Sequence, residues 1–165
     1  MPPQKDSAAP RVRAFQKDKY DLKNLKFLGE FMSALGLNTT TAGEKIGISQ
    51  VAIYYWLKKD DARLSAVTNL IEACGYKLTI ELVSDPAADS NDVIIIEKPH
   101  SKKLSFLVDA LADQDKEALA KKIGIGFSTI YYWFEHDDIY VSYIYQIAEA
   151  IGKKVKITIR PQKNI

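Results

Sequence analysis

The side chains that most often make and break bonds are few in this chain, and they are scattered. His100 and His136 have no set of ligand partners near them, and Cys74 is the only cysteine. A metal centre needs several such groups at short regular spacing, and a nucleophile needs a base to activate it. No glycine-rich phosphate loop, nucleophile elbow or paired carboxylate in a suitable setting occurs either. His136, beside Asp137, reads as a loop residue. The sequence therefore points away from an enzyme, a metal site and a cofactor. What does recur is a phrase suited to contact rather than reaction. Ile46-Gly47-Ile48-Ser49-Gln50-Val51-Ala52-Ile53-Tyr54-Tyr55-Trp56 returns as Ile123-Gly124-Ile125-Gly126-Phe127-Ser128-Thr129-Ile130-Tyr131-Tyr132-Trp133, an offset of 77 positions.

The offset carries on beyond the phrase. Asp60-Asp61 falls on Asp137-Asp138, Ser65 on Ser142, Ala73 on Ala150, Gly75 on Gly152, and Ile80 on Ile157. A repeat this long means one structural unit used twice. A helix end, Gly-Ile, then Ile-Tyr-Tyr-Trp at helical spacing has the form of the turn and second helix of a helix-turn-helix. Residues 1–19, with three prolines and many charges, read as a flexible basic arm. The first unit, 20–83, opens with a helix capped by Asp21. It carries a stripe of Leu25, Leu28, Met32 and Leu35, widened by Phe27 and Phe31, and stops at Gly36. Asn38 caps a second helix to Ile46, and Gly47 makes the turn. Ser49 caps a third helix to Lys59, with Ile53 and Trp56 inward and Leu57 beside them. Ser65 caps a fourth, whose Val67, Leu70, Ile71 and Cys74 face the core.

The period then changes from helical to two. Tyr76, Leu78, Ile80 and Leu82 alternate with polar residues, which predicts a strand with one buried face. Residues 84–100 form a turn-rich linker containing a short strand, Val93–Ile96. The second unit, 101–160, repeats the plan. Ser101 caps a helix bearing Leu104, Leu107, Val108 and Leu111, and Asp115 caps Lys116 to Ile123. The third helix runs from Phe127 to Glu135, Ser142 caps the fourth, and Lys154 to Arg160 is the last strand, before a tail at 161–165. The fold class is thus mainly α with a small β-sheet: two four-helix units, each followed by a strand. A lone strand leaves an unpaired edge and an apolar face. The repeat strands are therefore expected to share a sheet with 93–96, making a pseudo-dimer, rather than to hang as two beads on a linker.

Charge is distributed unevenly behind a net of +2. Residues 1–26 hold seven basic residues against three acids, and residues 151–165 hold five basic residues and no acid. Residues 104–150 hold eight acids against three lysines. Basic ends on an acidic body fit a protein that touches a polyanion, or else solvated tails that aid solubility. The lone Cys74 excludes a disulfide framework and fits a reducing compartment. The first residues lack the apolar run of a signal peptide, and no stretch approaches the roughly 20 apolar residues that span a bilayer. A cytoplasmic protein of a bacterial or phage-infected cell, without a membrane partner, is expected.

The residues resemble the Cro/phage-repressor (XRE-type) family of helix-turn-helix proteins. Its pattern of Leu-Ala, a Gly-(Val/Ile)-Ser turn, a following Ile, a cap Ser and an Ile-Ala-x-Ala-Leu-Gly helix is matched in the second unit. There Leu119-Ala120, Gly124-Ile125, Ile130, Ser142 and Ile147-Ala148-Glu149-Ala150-Ile151-Gly152 fit. Gly47-Ile48-Ser49, Ile53, Ser65 and Leu70 to Gly75 fit in the first. Ala42-Gly43 stands in place of Leu-Ala in the first unit, and Gly126 in place of Ser in the second. Strands after the fourth helix resemble extensions that serve dimerisation in some members.

The resemblance implies a transcriptional regulator or repressor that binds double-stranded DNA, its third helices lying in the major groove. The outward positions carried over are Ser49, Gln50, Val51, Tyr54, Tyr55 and Lys58 in the first unit. Gln50 can pair with adenine through donor and acceptor together, and Val51 can meet a thymine methyl. Tyr54 or Tyr55 can donate to a phosphate and Lys58 can neutralise one; Thr39 and Thr40 add hydroxyls. Tyr54 reads equally well as a packed ring. In the second unit the positions are Gly126, Phe127, Ser128, Tyr131, Tyr132 and Glu135, where Glu135, Asp137 and Asp138 would repel phosphates, with Lys116 and either Lys121 or Lys122 as anchors for weak binding. Arg11 and Arg13 can reach the minor groove or the backbone. Two linked units, as a monomeric pseudo-dimer or a homodimer, would place third helices about 34 Å apart on an asymmetric operator. The rival is a non-catalytic protein-interaction module, antitoxin-like or virion-associated, with a protein partner on the second unit. The acidic second unit and the lack of arginine on either third helix motivate it.

Overall fold

The protein is described here by a computed structural model, which describes residues 19–84 and 103–162. Arg11, Arg13, the arm up to residue 18, the 93–96 strand with most of the linker, Ser101 and residues 163–165 lie outside the described residues. The described elements are α1 (Lys26–Ala34), α2 (Thr39–Ile46), α3 (Gln50–Lys59), α4 (Leu64–Ala73), β1 (Tyr76–Val83), α5 (Ser105–Ala110), α6 (Lys116–Ile123), α7 (Phe127–His136), α8 (Val141–Ala150) and β2 (Lys154–Pro161). They fall into two compact units, Met1–Asp60 and Asp61–Ile165.

In the first unit Leu25, Leu28 and Met32 are fully buried, as their spacing predicts. Leu35 is not: it is 37% exposed, and Leu37 takes the buried place. The cause is the helix end. Gly36 adopts φ +67, so the N–H of Gly36 reaches Ser33 O and that of Leu37 reaches Met32 O. This reversal folds Leu37 back under the last turn. Asp21 does not cap α1. The backbone N–H groups of Lys23, Asn24 and Leu25 instead donate to the carboxylate of Asp60, at 3.1, 2.9 and 2.8 Å. Asn38 caps α2 as expected, its side chain accepting from Thr41 N while Thr41 Oγ1 accepts from Asn38 N, each 2.8 Å. Gly47 turns the chain at φ +72. Ser49 Oγ accepts from Ala52 N at the start of α3. Ile53 is buried there, but Trp56 is only half-buried and Leu57 takes the deeper position.

In the second unit β1 and β2 form a two-stranded antiparallel ribbon, from Tyr76↔Pro161 to Val83↔Lys154. Its central pair is Ile80↔Ile157, two residues related by the repeat offset. Leu78, Ile80, Leu82, Val155 and Ile157 close over a core that includes Leu104, Leu107, Ile130, Trp133 and Ile144. Val108, expected in that core, is 53% exposed. It sits on the far side of a helix of only six residues, too short to bury a wide stripe.

Ser65 and Ser142 do not cap. Arg63 and Tyr140 hold the N-cap positions of α4 and α8, with no side-chain cap. Ser65 instead donates from N and Oγ to Asp138, at 2.9 and 2.6 Å. Ser142 donates in the same way to Asp61, at 2.9 and 2.7 Å. Between these two clasps Leu64 N donates to Ile139 O and Val141 N to Ala62 O. Each helix start thus takes its anionic cap from just ahead of the other, where the helix dipole favours it.

Candidate nucleic-acid interface

The α2–turn–α3 segment is held by backbone fit as well as by caps. Ile48 N donates to Gly43 O at 3.0 Å. A Cβ on Gly43 would stand 2.6 Å from Ile48 O. In this copy the Ile48 carbonyl occupies the place of a side chain on residue 43, which glycine leaves open.

Closure of the turn brings the starts of the two helices together. Thr40 Oγ1 donates to Gln50 Oε1 at 2.6 Å. That contact orients the amide while leaving the second lone pair of Oε1 and both Nε2 hydrogens for an outside partner. Ser49, Gln50, Val51, Tyr55 and Lys58 are exposed, Val51 and Tyr55 to about half their surface. Thr40 is exposed, and Thr39 and Tyr54 are half-buried. Tyr54 is both packed and wet. Its ring meets Tyr20 edge-on at 6.2 Å and Tyr55 at 5.6 Å, while its hydroxyl accepts from Lys58 Nζ at 3.4 Å. Burial, with Tyr54 adding, raises the Tyr20 phenol above its ordinary value of 10.0. Lys58 and Lys59 also lie over the Tyr54 and Tyr55 rings, each at 5.7 Å. The exposed side of α3 therefore runs from an amide, through hydroxyls, to two ammonium groups near its end.

The equivalent side of α7, in the second unit, is different chemistry. Phe127, Tyr131 and Tyr132 are about half exposed. Phe127 packs edge-on against Tyr131 at 5.0 Å, and Tyr132 stacks on His136 at 3.9 Å. Ser128 is exposed and Lys116 is half-buried. The repeat offset sets Glu117 where Thr40 stands, Phe127 where Gln50 stands, and Glu135 where Lys58 stands. Lys122 is exposed and donates to Ala150 O at 2.8 Å, at the end of α8. Gly126 gives α7 no side-chain cap, unlike Ser49 at α3.

Asp60, Asp61, Asp137 and Asp138 each accept hydrogen bonds at the start of a helix. Asp60 and Asp137 both adopt positive φ, 56° and 51°. Asp137 accepts from Lys103 N and Leu104 N, each at 3.0 Å, as Asp60 does ahead of α1. The signal is an Asp-Asp pair at the same place in both copies, followed by a serine four residues on. Among the described residues no helix is long and apolar enough to cross a membrane. Comparison with protein-family models, curated proteins and solved structures finds no match for this chain.

Proposed function

We propose that the chain is a sequence-specific double-stranded DNA-binding protein, a transcriptional regulator that reads bases with the start of α3. One observation carries this reading: an exposed Gln50 oriented by Thr40 across a tight helix–turn–helix. A preoriented amide loses little freedom on binding and can offer donor and acceptor together to adenine. Val51 beside it suits a thymine methyl, while Ser49, Tyr54, Tyr55 and Lys58 suit phosphates. The resemblance to Cro/phage-repressor proteins supports the reading. In it the two repeats act as a pseudo-dimer joined through the β-ribbon. The operator is asymmetric, because α3 and α7 present different groups. No catalytic step belongs to the reading.

Selection from a random duplex pool tests it, followed by anisotropy on the selected duplexes. A motif should emerge, and Gln50→Ala should relax one position at a cost of about 1–3 kcal/mol. No motif and no effect of Gln50→Ala would sink it. The aromatic, acid-flanked side of α7 favours a second reading for that helix alone, a protein contact. Phe127→Ala should then leave the selected motif unchanged; a relaxed motif would make α7 a base reader.

A further inference from the structure

The outer face of the β-ribbon carries charges that the fold does not use. Leu78, Ile80, Leu82, Val155 and Ile157 face the core, so strand alternation turns Lys77, Lys154, Lys156 and Arg160 to the opposite side. Lys77 lies directly across from Arg160, and Thr79 across from Thr158. Glu81, across from Lys156, is the one acid on this face of the ribbon. Like charges set directly opposite weaken an antiparallel pair. Among the described residues none of these four cations makes an ion pair: the pairs present are Arg63–Asp138 and Lys103–Asp137. Lys77, Thr79, Lys154 and Arg160 are exposed, and Lys156 and Thr158 partly so.

Such a repulsion persists at little cost where an outside anion relieves it. Alternate residues stand about 7 Å apart along a strand, so Lys154 to Arg160 makes a cationic row about 20 Å long. The charge pattern suits a polyanion with regular spacing. A DNA strand carries a phosphate per roughly 3.4 Å of axis, and a major groove about 12 Å wide admits a two-stranded ribbon. Apart from Val83 at one end, the face bears threonines between its cations, not the bulky apolar groups that sink into a lipid interface.

We propose that the outer face of the β1–β2 ribbon is a second contact surface for duplex DNA, gripping the phosphate backbone through Lys77, Lys154, Lys156 and Arg160. It rests on the reading that the chain binds duplex DNA, and it adds phosphate contacts outside α3.

The test uses the full chain with Lys154→Gln, Lys156→Gln and Arg160→Gln combined. Anisotropy on a labelled random-sequence duplex is measured across salt, beside Gln50→Ala. The triple variant should flatten the slope of log affinity against log salt by roughly 3, about 0.9 per cation, with affinity down tenfold or more at low salt. It should melt close to wild type, because Lys77 loses a repelling neighbour while Glu81 loses an opposite charge. Gln50→Ala should keep the slope. An unchanged slope and affinity in the triple variant would overturn the proposal. So would loss of binding to phosphatidylserine vesicles with duplex binding intact, which makes the face a lipid contact. If wild type binds no duplex, both readings fall. If the triple variant flattens the slope and Gln50→Ala changes no base preference, the ribbon stands and the α3 reading fails.

Discussion

A single aspartate at the end of a helix carries two opposed terms. Asp60 sits at φ 56, a backbone region that costs a non-glycine residue roughly 1–2 kcal/mol. Its carboxylate accepts from three N–H groups ahead of α1, and charge-assisted bonds of this kind outweigh that strain. Asp60→Gly relieves the backbone but leaves all three N–H groups without their carboxylate acceptor. It should lower stability by about 1–3 kcal/mol in denaturant unfolding; a stabilised variant would show that the strain dominates. Gly43 poses the reverse case. Its missing Cβ is what lets Ile48 O approach, and that oxygen belongs to the turn that positions Gln50. Gly43→Ala should therefore cost about 1–3 kcal/mol and weaken duplex binding with it. Its counterpart Ala120 accepts the same turn bond, from Ile125 N at 2.9 Å, with a Cβ present. The two copies thus close one turn with different backbone clearance. At Gln50, Thr40→Val removes only the orienting hydroxyl, so it should weaken base discrimination less than Gln50→Ala in the same assay.

At the scale of elements, what could be read from the sequence was local. Asn38, Ser49 and Asp115 cap α2, α3 and α6 because each lies within three residues of the N–H groups it serves. The turns at Gly47 and Gly124 and the alternation of β1 and β2 are equally local signals. So was the candidate site: exposure of Gln50, Val51 and Lys58 follows from the helical period once Ile53 is placed inward. What the sequence did not show is what arrives from a distance. α4 and α8 start at Leu64 and Val141 with caps borrowed across the repeat, and nothing near Ser65 marks Asp138 as its acceptor. Helix ends were ambiguous for a related reason. Leu35 fits an apolar stripe, but the chain's exit at Gly36, not the period, decides that Leu37 is covered instead. Nor does the period place Thr40 against Gln50, since that contact needs the turn closed. These borrowed caps carry an expectation. Asp138→Ala removes the acceptor of both Ser65 N and Ser65 Oγ, whereas Ser65→Ala removes only the hydroxyl. The aspartate variant should lose about 1–3 kcal/mol and the serine variant less, by urea unfolding. Equal losses would mean that the hydroxyl alone matters.

At the scale of the molecule, the unit Asp61–Ile165 is assembled from chain segments far apart in sequence. Partners across the ribbon are separated by 71 to 85 positions, from Val83↔Lys154 to Tyr76↔Pro161. A chain stopped after Ser84 would keep α4 and β1, which pack on each other, but would lack β2, the strand that pairs with β1. Its β1 amides should exchange with deuterium at near-unprotected rates, while those of the full chain are slowed; protection in the short chain would mean that β1 finds another partner. The same separation has a meaning in time. A ribosome extends a chain by about 5–20 residues per second, so β1 is made roughly 4 to 17 seconds before the last residue of β2 it needs. Through that interval Leu64, Leu78 and Ile80, covered in the finished unit, have no finished core to enter. Translation speed thus sets how long the nascent chain presents a sticky strand edge. Nascent chains arrested before Lys154 should be the ones that holding chaperones and proteases find.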